Sequence, residues 1–265
     1  SPQRATPKTP FSQQKLSRFA DDDGIVCIPP VRAEPPADER LLEVLRAAYG
    51  AKWSNSLLHD LLTETGCRPG TTLEDWLRNA FFDQHCKRFQ NRPFVWQIWD
   101  GRRDGFSCFV NYHRLSYKTL DNLTHSYLEG WIRKQAGDAK TGKSGADLRL
   151  AAAQGLQEKL RLILTGEPPY DIFVRWKPLH EQPIGWNPDF DDGVRQNIRP
   201  FIAADVLRSE PKSLLKDKDR GKEPERSKDD YPWLWKGKEF IGDRVNDIHL
   251  TNAEKEAARA ARGVK

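Results

Sequence analysis

Two short aromatic segments joined by an Asp-Gly-rich turn constrain this chain's fold more than any other feature. Phe94-Val-Trp-Gln-Ile-Trp99 and Phe106-Ser-Cys-Phe-Val-Asn-Tyr112 are rich in aromatic and β-branched side chains, which pack well on a pleated surface. Between them lies Asp100-Gly-Arg-Arg-Asp-Gly105, whose two Asp-Gly steps suit a chain reversal. The pair therefore reads as a β-hairpin over about 94–112 with Arg102 and Arg103 at its tip. Strand alternation puts Phe94, Trp96 and Ile98 on one face, the expected core face.

The other ordered segments are mainly helical. Gly24 to Pro30 reads as a short strand ended by prolines, and the Pro-rich link Val31 to Pro36 leads into helices over about 38–49 and 55–64. Thr71 and Glu74 have the spacing of a capping box, in which each side chain satisfies a backbone donor of the first turn. Leu73, Trp76, Leu77, Ala80 and Phe81 then share one helical face, predicting a helix to about Phe89 that Asn91-Arg92-Pro93 stops. Ser116 to Gln135 is amphipathic, with Leu120, Leu123, Tyr127, Leu128, Trp131 and Ile132 at helical spacing. A polar Gly-rich loop follows. The next helix spans about 146–164, carried by Leu148, Leu156, Leu160, Ile163 and Leu164. Asp171 to Trp176 is a candidate third strand, and a helix is expected after Asp191 and Asp192. Lys216 to Asp230 is charged, almost without apolar residues, and expected to be mobile. Thr251 with Glu254 forms a last capping box, and its helix ends at Gly263. The fold class that results is α+β, mostly helical with a β-hairpin or small antiparallel sheet and long irregular C-terminal segments. Its parts are a flexible arm and linker (1–37), a helical module containing the hairpin (38–208), and an irregular charged segment with a short terminal helix (209–265).

Composition narrows the function classes. Apolar residues make up 37% and charged residues 31% of the chain, so its core must lean on nine Trp and twelve Phe. The net charge of +5 is unevenly placed: Lys87 to Arg149 holds twelve basic residues against six acids. Such a region attracts a polyanion, although ordinary solvated surface looks the same. Cys27, Cys67, Cys86 and Cys108 include no CxxC pair, which argues against zinc and for reduced thiols, so no metal ligand is assigned. No apolar run approaches the ~20 residues of a membrane helix and no signal peptide opens the sequence. The expectation is a cytoplasmic, prokaryotic protein without a membrane partner. The absence of Met, even at position one, fits a segment beginning inside a longer protein.

Three motifs invite chemistry and then fail its requirements. Gly137-Asp-Ala-Lys-Thr-Gly-Lys-Ser144 matches the phosphate-loop pattern, but that loop must join a buried strand to a helix, and an amphipathic helix precedes it here. Glu167-Pro-Pro-Tyr170 and Asn187-Pro-Asp-Phe190 imitate the Asp/Asn/Ser-Pro-Pro-aromatic site of amino-methyltransferases, which holds a flipped base and its amine. The first has Glu for the short polar residue, the second Asp for a proline, and no Phe-x-Gly-x-Gly donor loop exists. His59, His85, His113, His125, His180 and His249 are scattered without a triad pattern. No catalytic residue is assigned. The positive signal is the interleaving of Arg92, Arg102, Arg103 and Arg114 with Trp96, Trp99 and Tyr112, since cations neutralise phosphate and aromatic faces stack on bases.

The run Arg92-Pro-Phe-Val-Trp-Gln-Ile-Trp-Asp-Gly101, continuing through Gly105 to Leu115, resembles the region after the catalytic domain of large single-chain adenine-N6 DNA methyltransferases. These belong to BREX- and DISARM-type phage-defence systems and to fused restriction–modification proteins. The resemblance continues through Tyr170 to Pro178, Gln182 to Arg195, Asn197 to Phe201, Asp219 to Lys222 and Arg244 to Thr251. It implies a parent enzyme that methylates adenine in duplex DNA from S-adenosylmethionine, with donor loop and catalytic site upstream. This chain is then the DNA-recognition and spacer part, with no cofactor of its own. Its implied partners are duplex DNA, the methyltransferase domain in cis or in trans, and other defence-system proteins. Arg92, Arg102, Arg103, Arg114, Arg133 and Lys134 are the expected DNA contacts. The alternative is a docking scaffold without DNA contact, anchored through Trp233 and Trp235.

Overall fold

The computed structural model describes residues 23–89, 93–166, 198–209 and 235–240. Element order is β1 (Ile25–Cys27), α1 (Ala37–Tyr49), α2 (Asn55–Glu64), α3 (Leu73–Asn79), α4 (Phe81–Arg88), β2 (Val95–Trp99) and β3 (Ser107–Asn111). Then come α5 (Tyr117–Asn122), a π-helical turn (Leu123–Leu128), α6 (Glu129–Lys140), α7 (Ala146–Thr165), the short α8 (Arg199–Ala203), and a two-stranded pair, β4 (Trp235–Lys236) with β5 (Glu239–Phe240). The fold is α+β, mostly helical around a small antiparallel sheet. Several expected features lie outside the described residues: the arm 1–22, the strand at 171–176, the start of the helix after Asp192, the charged run 216–230 and the capping box at Thr251. No helix among the described residues is long and apolar enough to cross a membrane.

The hairpin forms as its turn chemistry demands, with Trp96 opposite Val110 and Ile98 opposite Cys108. The third strand is β1, which pairs on the other side of β3 with Ile25 opposite Val110 and Cys27 opposite Cys108. Cross-strand partners share a face. One face, with Ile25, Cys27, Trp96, Ile98, Cys108 and Val110, packs into the main core under the α5–α7 helices and α8. The opposite face, with Val26, Val95 and Phe109, meets a second core from α1 to α4. Both faces are covered, so β3 from Ser107 to Val110 is buried without alternation. Gln97 therefore lies in the interior, where its amide donates to the Arg78 carbonyl and to Ser107 Oγ, both at 3.1 Å. Buried polar groups persist when paired in this way. Phe94 departs from the expected core position: it is 38% exposed, because it precedes the strand and packs at its end against His85 and Phe89.

The free edge of β2 is covered by a distant segment. Trp99 N donates to the Val206 carbonyl at 2.9 Å, Arg208 N donates to the Gln97 carbonyl at 3.0 Å, and the Trp99 indole donates to the Leu207 carbonyl at 3.1 Å. Covering an edge removes a template for unwanted pairing.

The helix start near residue 72 lies one position later than the spacing of Thr71 and Glu74 predicts. Thr72 accepts from Asp75 N at 3.1 Å while Asp75 accepts from Thr72 N at 3.3 Å; Thr71 instead donates to the Arg68 carbonyl at 2.7 Å. Thr72→Ala should therefore cost about 1 kcal/mol in denaturant unfolding, and Thr71→Ala clearly less. The expected single helix breaks at Ala80 (φ −127°), which lets Phe81 enter the second core and Phe82 and Cys86 the first.

His85 sits among Phe81, Phe89 and Phe94 and accepts from Val95 N through Nε2 at 3.3 Å. Burial holds its pKa below the ordinary 6.5. A neutral ring is therefore favoured in the fold, and the unfolded chain binds the proton first. The stability this supplies is intact above pH 6.5 and lost as pH falls below it. His85→Gln should make melting temperature less pH-dependent between about pH 7.5 and 5. Equal slopes would contradict this role.

The second helical region follows its apolar register: Leu120, Leu123, Tyr127, Leu128, Trp131 and Ile132 are all buried. Its π turn is supported from α7, where Gln157 Nε2 donates to the Thr124 carbonyl at 3.2 Å and to Glu129 Oε2 at 2.9 Å. The helix runs on to Lys140, so the expected Gly-rich loop shortens to a turn in which Gly142 and Gly145 take positive φ (72° and 73°). In α7, Leu156, Leu160, Ile163 and Leu164 are buried, whereas Leu148 is 61% exposed in the first turn, away from the core.

Candidate nucleic-acid interface

The hairpin tip is built around one half-buried carboxylate. Asp100 Oδ1 accepts from Arg102 N at 3.0 Å and Oδ2 accepts from Phe106 N at 2.8 Å, closing the turn from both sides. Burial raises the Asp100 pKa above the usual carboxylate value, against the lowering effect of these amides and of Arg102. Gly105 is required here, since a Cβ would clash with the Asp100 carboxylate.

A second carboxylate fastens the tip to the turn between α6 and α7. Asp104 accepts from Arg102 Nε at 3.0 Å and from Arg149 Nη1 at 3.2 Å. Arg149 reaches on to Gln135 Oε1 at 2.7 Å and to the Ser144 carbonyl at 3.2 Å. Burial would raise the Asp104 pKa, but hydrogen bonds from Arg149, a backbone amide and Arg102, with the charge of Arg102, hold it below its ordinary value. Arg149 is the residue that sequence reasoning missed, because its partner lies 45 positions away and no local pattern marks the pair.

The structure divides the expected DNA contacts. Arg102 and Arg103 lie together at the tip, beside the turn that carries Lys143. Arg103 is exposed and has no ion-pair partner among the described residues. Arg102 is held by Asp104 in a pair whose side chains are 33% and 50% exposed; such pairs contribute little, so its guanidinium can be shared with another anion. Arg114 is exposed at the other end of β3, which at ~3.3 Å per residue separates it from the tip by at least roughly 15 Å. Arg133 and Lys134 are exposed on α6, the first paired with Glu129 at 3.1 Å, the second with its ammonium 5.3 Å from the Trp131 ring centroid. Arg92 and Trp233 lie outside the described residues, and Trp235 is described only by its backbone pairing opposite Phe240. Trp96 and Tyr112 are core residues, so their rings offer no face to a base. Trp99 carries the Arg208 guanidinium 4.7 Å from its ring centroid.

The competing chemistries find little support among the described residues. The phosphate-loop lookalike runs helix, turn, helix, with Lys143 Nζ paired to Asp138 at 3.2 Å. No group of His, Cys, Asp and Glu among the described residues could hold a metal ion. None of the four thiols forms a disulfide, and burial pushes that of Cys86 up to about 12, leaving it a poor nucleophile. The two methyltransferase-like tetrapeptides, at 167–170 and 187–190, lie outside the described residues. The described three-stranded sheet is antiparallel, and none of its strands leads through a glycine loop into a helix.

No protein-family model matches the chain. It is 26% identical over 208 residues to the adenine-specific methyltransferase BrxX of Escherichia coli O9:H4 (strain HS). The similarity covers 71% of this chain, which spans only 16% of that relative's length. The chain is thus linked, distantly, to a methyltransferase of a BREX system.

Proposed function

We propose that this chain is the DNA-recognition and spacer portion of an adenine-N6 DNA methyltransferase of a phage-defence system, lying after the catalytic domain. The observation that carries the reading is the similarity to BrxX, which extends along most of this chain and a small part of the relative. It is consistent with the resemblance carried by Arg92 to Leu115, a stretch that contains the hairpin and its exposed arginines. In this reading S-adenosylmethionine and the reacting adenine are held by the parent enzyme's upstream domain. This chain positions duplex DNA through Arg102, Arg103 and Arg114, with Arg133 and Lys134 as further cationic contacts. Phosphate contacts of this kind fix orientation and carry no sequence information by themselves.

The test is retention of duplex DNA by the purified chain at low and moderate salt. Binding that weakens steeply as salt rises supports the reading, because neutralised phosphates release counterions. Absence of retention at low salt contradicts it and favours the docking scaffold.

A further inference from the structure

The layer that covers the second face of the sheet leaves a local gap. Within α1 only Ala37 is fully buried, and between this helix and the second face of the sheet lies an open cleft of about 930 Å³. Ligand sites typically fall within roughly 300–1,000 Å³ and combine an apolar body with a few convergent polar groups. The floor here is apolar and partly aromatic, formed by Val26, Val95, Phe109 and Phe81, with the last two rings edge to face at 5.0 Å.

One end of the cleft is polar, and one of its carboxylates can accept more hydrogen bonds than it receives from the protein. Tyr127 Oη lies 2.9 Å from Asp23 Oδ2 and 3.0 and 3.1 Å from the two oxygens of Glu34. A phenol carries one proton, so it satisfies one of these acceptors at a time. Asp23 has further donors, Asn122 Nδ2 at 2.7 Å and Ile25 N at 2.9 Å. The Glu34 carboxylate has none besides Tyr127 among the described residues, and it lines the cleft. Burial, then the two carboxylates, raise the Tyr127 pKa and keep the hydroxyl a donor.

Cations stand at the same end. Arg32 is exposed, takes a left-handed φ of 60° that is unusual for a side-chain-bearing residue, and holds its guanidinium 5.3 Å from the Tyr127 ring centroid. It has no ion-pair partner among the described residues, and Arg40 and Arg114 also line the cleft.

An apolar floor, a carboxylate with acceptor capacity to spare and an arginine at the same end together specify three parts of one ligand. We propose that this cleft binds a nucleotide whose base carries an exocyclic amine. The base packs against the partly exposed floor at Val26 and Phe81, the amine donates to Glu34, and the phosphate meets Arg32. Carboxylates accept from base amines in the same way at DNA edges. The cleft is distinct from the hairpin tip at Arg102 and Arg103, although Arg114, the third arginine of the proposed DNA grip, also lines it.

The experiment is calorimetric titration of the full chain with AMP, IMP, CMP and UMP, and with single-stranded oligonucleotides of the matching bases. AMP and CMP should bind saturably and at least about tenfold more tightly than IMP and UMP, because losing a hydrogen bond to a charged group has that effect or more. Glu34→Ala should bring each pair within about twofold, and Arg32→Ala should weaken all four by a similar factor. The double variant Arg102→Ala/Arg103→Ala should leave the mononucleotide isotherms unchanged, which separates this site from the hairpin tip. A preference for amine-bearing bases seen only with oligonucleotides also supports the proposal, and identifies a strand as the nucleotide's source. Equal affinity within each pair, a preference that survives Glu34→Ala, or no saturable binding of either form would overturn it. The AMP–IMP contrast in the unmodified chain stands even if a variant fails to fold.

Discussion

Trp96→Ala should lower the free energy of unfolding by about 3–5 kcal/mol, a large part of the ~5–15 kcal/mol that stabilises a typical domain. Trp96 is 1% exposed on β2, opposite Val110, and its ring meets Phe82 at 5.4 Å. Removing it deletes a large apolar area and leaves a cavity that close-packed neighbours can fill only in part. The phenylalanine variant sharpens the test. The Trp96 indole N–H is buried without a hydrogen-bond partner among the described residues, and an unmet buried donor costs roughly 1–3 kcal/mol. Trp96→Phe removes that penalty while retaining much of the ring, so its cost should be less than half that of alanine. Urea unfolding of the three proteins measures both differences. Equal costs for Phe and Ala would mean that the indole N–H is satisfied after all.

Simultaneous replacement of Arg102, Arg103 and Arg114 with alanine should weaken duplex binding on the order of a hundredfold near physiological salt. Each phosphate neutralised adds about 0.9 to the slope of log K against log salt, so three contacts are worth roughly two decades at ~0.15 M. The fold should tolerate the change. Arg103 and Arg114 are exposed, and the turn around Arg102 is held by the backbone amides on Asp100, which the substitution leaves in place. Because the tip and Arg114 lie at opposite ends of β3, the Arg102/Arg103 double variant and the Arg114 single variant should add in free energy. The melting temperature of the triple variant separates lost contact from lost structure.

The hairpin was legible because every local signal agreed: aromatic strands, Asp-Gly steps and a length suited to direct pairing. The helix from Leu120 to Ile132 was legible for the same reason, since its apolar spacing leaves a single face to bury. What escaped was non-local. The segment at Val206–Arg208 that covers the edge of β2 carries no strand-like pattern and is ordered by backbone partners on Gln97 and Trp99. Coverage of both sheet faces hid Gln97 from any alternation argument, because an interior polar residue on a strand reads as solvent-facing. Near residue 72 two overlapping patterns competed, Thr71 with Glu74 and Thr72 with Asp75. In the second, both halves of the reciprocal cap are made, and Leu73 and Leu77 are both buried. In the candidate interface, Arg102 and Arg103 could be placed at a tip from sequence alone. The Asp104–Arg149 contact that anchors this tip could not, nor could the cleft beside Tyr127, whose acids and arginines come from four separate stretches of chain.

The most direct test of the central claim, that this chain grips duplex DNA through its exposed arginines, is the salt dependence of affinity in the unmodified chain and the triple variant. If the claim holds, log K against log salt falls steeply for the unmodified chain, and the variant's line is shallower by about 2.7. Parallel lines of equal affinity would contradict it and leave a protein-docking scaffold as the better description.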